Sequence, residues 1–219
     1  YLALKNFDNE EYYFRLKSSV LDNLDKFSVT DKHFLFLKLS NYCILKKDSL
    51  PAANMKYESE LFDIYKQILL DKYYQTDSNK YMPVDMYRNI IIQAVKMKEL
   101  RWLEEFIEDY GNQIHPRRKT DIINYSYAYL RFEQGNFDEA LKWLSQIRVE
   151  EFSYHLDIRS LYIMTYYELG DLETAYSAAN AFSKYLKGNK MVSEEKRTGS
   201  DNLCKYVIKL INFNNTNSK

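Results

Sequence analysis

The sequence predicts an all-α protein built as a stack of helical hairpins, and three observations carry that reading. Only 5 Gly and 3 Pro occur in 219 residues, too few for the many turns of a sandwich or barrel but consistent with long helices. Apolar residues recur at helical spacing in segment after segment. The stretch from Asp121 to Leu186 contains the same helix, turn, helix unit twice. Its first turn reads Phe132-Glu133-Gln134-Gly135-Asn136-Phe137-Asp138-Glu139-Ala140 and its second Tyr167-Glu168-Leu169-Gly170-Asp171-Leu172-Glu173-Thr174-Ala175. The two glycines are 170 − 135 = 35 residues apart, the period of hairpins that bury a face only against their neighbours.

Composition supports a packed core, with 46% hydrophobic and 16% aromatic residues, including 21 Tyr and 12 Phe. The 31 basic and 31 acidic residues balance, so there is no net field to recruit nucleic acid or anionic lipid, and nucleic acid is not expected as a partner. Cys43 and Cys204 have no partner spacing for a disulfide framework or zinc site and read as reduced, buried thiols. No apolar run approaches the roughly 20 residues needed to span a bilayer. A cytoplasmic location is expected, and neither cofactor nor metal is implied. The chain opens Tyr1-Leu2-Ala3-Leu4-Lys5, without Met and already in a helical pattern. From that start an upstream part is expected to have been removed, and any signal or enzymatic domain with it.

Taken in order, the first helix is expected from Phe7 to Lys26, with Tyr13, Leu16, Val20, Leu24 and Phe27 on one face. Thr30 is the expected N-cap of a helix from Asp31 to Lys46, whose segment Phe34 to Leu39 is apolar nearly all round and needs cover on two sides. Ser49 to Asn54, with Pro51, forms a break. Leu61, Ile64, Tyr65, Ile68 and Leu69 then trace a stripe on a helix ending near Tyr73. The polar stretch Gln75 to Lys80 is the expected long loop or joint. Pro83 suits a first helical turn, opening a helix to Met97 with Val84, Tyr87, Ile91 and Ala94 inward. The next helix, Leu100 to Tyr110, turns Leu100, Leu103 and Ile107 inward, and Gly111 sits where a left-handed C-terminal residue is wanted. The turn between them, Met97-Lys98-Glu99-Leu100, has lost the glycine of the later units.

Pro116 opens a helix to about Gln134. After Gly135, the residues Phe137, Ala140, Leu141, Leu144 and Ile147 fall on one stripe. Ala140 is small because helices joined by so short a turn approach closely. The unit from Leu156 repeats the plan, with Ile158, Leu161, Tyr162, Thr165 and Leu169, then Leu172, Ala175, Ala179, Phe182 and Leu186, and it ends at Gly188. A last helix, Ser193 to Phe213, is expected to turn Leu203, Tyr206, Val207 and Leu210 inward and a polar face outward, as a capping helix does.

At Gly135-Asn136-Phe137-Asp138-Glu139-Ala140-Leu141 and Gly170-Asp171-Leu172-Glu173-Thr174-Ala175-Tyr176 the chain resembles the tetratricopeptide repeat family. The likeness covers Val84 to Leu186 as three units, 83–111, 117–149 and 152–188, the first degenerate. Residues 1–75 read as related hairpins without the signature, and 191–219 as capping helix and tail. The resemblance implies a right-handed α-solenoid of about ten helices. The chain departs from the family where a small residue is usual in the first helix: Ala128 has it, but Ile91 and Ile163 do not, and a unit-ending proline is missing. The hairpin crossings are therefore expected to be less regular. The strings Trp102 to Ile107, Tyr166 to Gly170 and Tyr185 to Lys190 also look like the C-terminal region of uncharacterised repeat proteins of the Bacteroidetes group, a likeness that supplies no function.

Tetratricopeptide-like stacks bind extended peptides in a groove lined by the first helix of each unit. Carried onto this chain, the resemblance nominates Arg88, Ile92 and Lys96; Tyr125, Tyr129, Phe132 and Glu133; and Met164, Tyr167 and Glu168. The aromatic side chains would supply contact area, and Arg88 and Lys96 would receive a carboxylate. The competing reading packs Phe132, Tyr167 and Ile92 against the next hairpin. A receptor for chaperone tails is disfavoured, because Ile92, Ser126 and Asp157 occupy slots that carry Asn or Lys there. His115-Pro116-Arg117-Arg118-Lys119 reads as a solvated corner rather than a phosphate contact. His33, His115 and His155 share no ligand spacing. No phosphate loop, nucleophile motif or helix-borne His-Glu pair occurs.

Three functions are weighed: a non-enzymatic scaffold binding a protein or peptide in the groove; a ligand-sensing part of a regulator whose effector domain lies upstream; and a stand-alone hydrolase or transferase. The last lacks any residue to which catalysis can be assigned, and the first leads.

Overall fold

A computed structural model describes residues 9–49, 54–148 and 152–217. Several sequence expectations fall partly or wholly outside these residues: the helical pattern at Tyr1–Lys5, the start of the first helix at Phe7, the Pro51 break, the end of the 117–149 unit and the end of the 191–219 tail. Ten α-helices and no strand occur among the described residues, and the chain divides into two compact units, Tyr1–His115 and Pro116–Lys219.

The first unit holds α1 (Glu10–Leu21), α2 (Val29–Ser49), α3 (Asn54–Leu70), α4 (Val84–Lys96) and α5 (Leu100–Tyr110). Each helix packs on the next one in the chain where described contacts join them: α1 on α2, α2 on α3, α3 on α4 and α4 on α5. Asn9 caps α1, its side chain accepting from the Glu11 N–H at 3.0 Å. α1 stops at Leu21, short of the expected Lys26, and a single 3-10 turn, Leu24–Lys26, follows. Thr30 is not the cap of α2. Ser28 holds that place: its Oγ accepts from the Asp31 N–H at 3.1 Å, and the Asp31 carboxylate accepts from the Ser28 N–H at 3.3 Å, a reciprocal pair that satisfies two orphan donors. Thr30, two residues on, donates instead to Asp77 at 2.6 Å and so ties the Gln75–Lys80 loop to α2 inside this unit.

α2 is covered on the faces that carry Phe36, Leu39, Tyr42 and Cys43, but Phe34 and Leu45 stay exposed, because two neighbours cannot enclose the third side of a helix. Tyr13 of α1 stacks on Tyr42 at 4.3 Å and donates to Glu60 of α3 at 2.7 Å, where Lys17 also binds. Burial pushes the adjacent Cys43 thiol up to about 12. The expected α3 stripe, Leu61, Ile64, Tyr65, Ile68 and Leu69, is buried throughout.

The second unit holds α6 (Pro116–Glu133), α7 (Phe137–Leu144), α8 (Phe152–Glu168), α9 (Leu172–Gly188) and α10 (Glu194–Asn217), again packed on chain neighbours, with α8 also touching α6 and α10. Ala140, Ala175 and Ala179 are fully enclosed at these packing points. α10 is rotated from the expected seam. Cys204, Val207 and Ile211 are buried, whereas Tyr206 and Leu210 are 64% and 48% exposed. The packed seam follows i, i+3, i+7 from Cys204, so its far side carries Tyr206, Leu210 and Phe213 rather than a uniformly polar surface.

One turn geometry recurs in both units. Gly135 and Gly170 adopt φ +77°, and Lys72 and Lys98 adopt +56° and +59°. In each turn the left-handed residue donates its N–H three residues back, and the next residue donates five back. Lys98 reaches Val95 and Glu99 reaches Ala94, both at 3.0 Å; Gly135 reaches Phe132 at 2.9 Å and Asn136 reaches Arg131 at 2.8 Å. These are the paired bonds that close a helix C-terminus on a left-handed residue. The α4–α5 turn that had lost its glycine therefore keeps the glycine geometry, 135 − 98 = 37 residues before its counterpart. Gly111, expected to be left-handed, has φ −57° and leads into a 3-10 turn. The chain there continues with right-handed curvature, so no glycine freedom is used.

Candidate functional site

In the first unit a trough of about 200 Å³ runs between α2 and α4. Its α2 wall is His33, Leu37, Ser40, Asn41 and Ile44, its α4 wall includes Asp85, Met86 and Asn89, and Tyr65 of α3 lines it too. The α2 residues follow one face of the helix over three turns. His33 is only 8% exposed, and its Nδ1 lies 2.9 Å from the Tyr73 carbonyl oxygen. A carbonyl only accepts, so Nδ1 carries the proton of this hydrogen bond. Ser40 donates to the Phe36 carbonyl at 2.9 Å, leaving its oxygen lone pairs to accept. Burial, then the charges of Cys43 and Glu58, raise the Tyr65 phenol, which stays protonated.

The nominated α4 residues Arg88, Ile92 and Lys96 lie beyond the residues that line the trough. Asp85, Asn89, Ile92 and Lys96 are spaced 4, 3 and 4 along the helix and share one face. Ile92 is half-buried. Lys96 lies 3.5 Å from Glu58, a buried acid that also accepts from Gln93 at 2.7 Å and pairs with Lys47 at 3.5 Å. Arg88 donates to Asn89 at 3.2 Å. None of the nominated Arg88, Ile92 and Lys96 lines the trough, and its polar groups His33, Ser40, Asn41, Asp85 and Asn89 were not nominated from the sequence. The Asp85-Asn89-Ile92-Lys96 spacing was a readable signal. α2 was passed over because no Gly-Asp or Gly-Asn turn marks it as the first helix of a unit.

In the second unit α6 and α8, the first helices of the two signature repeats, touch each other and carry the remaining nominated residues. Tyr125 is enclosed: its hydroxyl donates to Asp157 at 2.8 Å and its ring meets Tyr154 edge-on at 4.6 Å. It joins α6 to α8 and is not presented to a ligand. Tyr129, Phe132 and Met164 are half-buried around a core of Ala128, Leu144 and Leu161. Phe132 lies 5.4 Å from Phe137, so it does pack within its own hairpin. Tyr167 rests on the Ala175 and Phe182 cluster with part of its surface open. Glu133 is half-buried and Glu168 exposed at the end of this face. Ser126 donates to the Ile122 carbonyl at 2.6 Å, fully buried.

Among the described residues no group of three or more His, Cys, Asp or Glu is placed to hold a metal, and no helix is long and apolar enough to cross a membrane. Among the described residues the elements define an all-helical protein whose helices pack on chain neighbours. Comparison with protein-family models, curated proteins and solved structures finds no match.

Proposed function

We propose that this chain is a non-enzymatic scaffold that binds an extended peptide or protein segment along the faces of the first helices of its hairpins. The trough of the first unit supports this reading most directly. It is elongated along α2, has apolar walls at Leu37, Ile44 and Met86, and carries the Asn41 and Asn89 amides on opposite helices. An Asn side chain offers one acceptor and two donors, the complement of a peptide group, and apolar side chains of a bound segment would occupy the space between. In the second unit the half-buried Tyr129 and Tyr167 offer rigid aromatic area at low entropic cost. A helical stack of tetratricopeptide type within each unit is part of the same proposal.

The test is affinity capture from the native organism with the wild-type chain, an Asn41→Ala/Asn89→Ala variant and a Tyr129→Ala/Tyr167→Ala variant of unchanged helix content. Loss of the same specific protein from either variant is the expected result. Identical recovery with all three would overturn the reading.

A further inference from the structure

A second cavity, about 300 Å³, opens in the first unit between α3 and α5. It shares only α3 with the trough described above, and its chemistry differs. Trp102, Phe106 and Tyr110 sit one turn apart along α5 with ring centroids 5.5 Å apart at each step and planes within 9° and 24°. Phe106 is buried, while Trp102 and Tyr110 keep part of their surface open. Glu105 and Asp109, both exposed, stand on the same cavity wall, and Leu69 and Leu70 close it from α3. The cluster already attracts a cation of its own: the Lys66 ammonium lies 4.2 Å from the centroid of the Phe62 ring, which meets Trp102 edge-on at 4.8 Å.

We propose that this cavity binds an alkylammonium cation, its methyl or methylene groups against Trp102 and Tyr110 and its charge beside Glu105 and Asp109. Aromatic faces carry negative quadrupole density and attract cations, Trp most strongly. An alkylated ammonium satisfies the site best because it is weakly hydrated and apolar outside, matching walls that offer ring faces and Leu side chains. Of the charges lining the cavity, two are carboxylates and one is Lys66. Lys66 is itself held 3.6 Å from Asp63, and the exposed Arg101 contact to Glu105 at 3.3 Å is of the solvent-screened kind that yields readily to a competing cation. The balance at the cavity therefore favours a positive guest.

The chain has 2 Trp, so a Trp143→Phe background leaves Trp102 as the sole indole reporter. Tetramethylammonium, a lysine-containing tripeptide and the neutral 2,2-dimethylpropan-1-ol would each be titrated while Trp102 emission and calorimetric heat are followed. Saturable binding of a cation but not of the neutral alcohol is expected. Response to tetramethylammonium alone assigns the site to small alkylammonium compounds; response to the tripeptide as well assigns it also to lysine side chains. Glu105→Gln/Asp109→Asn should weaken binding at least about threefold, and Lys66→Gln should strengthen it. Equal response to the alcohol, no saturable response, or undiminished binding by the carboxamide variant would overturn the proposal.

Discussion

The left-handed residues at the helix turns give the sharpest test of the fold. An L-residue in this conformation costs roughly 1–2 kcal/mol, because its Cβ crowds the following carbonyl. Glycine escapes that cost but loses about 0.5–1 kcal/mol through its larger unfolded-state freedom. Lys98→Gly should therefore stabilise by about 0.5–1 kcal/mol, and Gly170→Ala should destabilise by a similar amount. The space around Gly135 and Gly170 makes the second half clean. A Cβ built at either meets nothing within 4 Å, so any loss comes from backbone strain alone and not from a clash. Lys98→Asn, which tolerates the left-handed region better than Lys while keeping a polar side chain, should fall between. Urea unfolding followed by circular dichroism gives the assay: the midpoint should move up for Lys98→Gly and down for Gly170→Ala with the slope unchanged. A destabilised Lys98→Gly or a neutral Gly170→Ala would refute the assignment of these turns.

Other outcomes follow from the packing and the buried groups. Ala140→Leu and Ala175→Leu, at fully enclosed positions, should each destabilise by about 1–3 kcal/mol through overpacking, read from thermal melts. Glu58→Ala should cost about 2–3 kcal/mol in urea unfolding, since it strips Gln93, Lys47 and Lys96 of a shared acceptor that is itself buried. Burial raises the Cys43 thiol from 9.0 to about 12 and the Cys204 thiol from 9.0 to about 11. The folded chain thus holds these protons more tightly than the unfolded one. The resulting stability is complete below pH about 9 and declines as pH climbs towards 11 and 12. Melting temperature should accordingly drop over that window, and both thiols should resist a thiol-selective reagent at pH 8 until denaturant is added.

Much of the fold was legible along the chain. The Leu61 to Leu69 stripe, the enclosed Ala140 and Ala175, and the glycine turns at Gly135 and Gly170 are all local patterns, set by helical periodicity and by which residue tolerates a positive φ. Details that depend on a neighbour were not legible. Ser28 takes the cap through its reciprocal bonds with Asp31, and the hydroxyl of Thr30 is engaged by Asp77 of a distant loop, a contact no local pattern announces. Lys98 carries no sign of a left-handed turn, since the conformation is imposed by two helices that must meet across three residues.

The candidate sites divide in the same way. The α4 wall of the trough, Asp85, Met86 and Asn89, and its α2 partner wall were not found, because nothing in a sequence states which two helix faces will look at each other across Tyr65. Tyr125 and Tyr129 are alike in type and only one turn apart, but the first is closed off by Asp157 and Tyr154 while the second keeps an open edge. Sequence by itself determined that the chain is helical, where most helices turn and which faces are apolar, because these follow from backbone sterics and periodicity within a few residues. Only the tertiary structure decided which polar groups are enclosed, where α10 sets its seam, and which walls form a trough, because burial and proximity are properties of pairs of elements far apart in the chain.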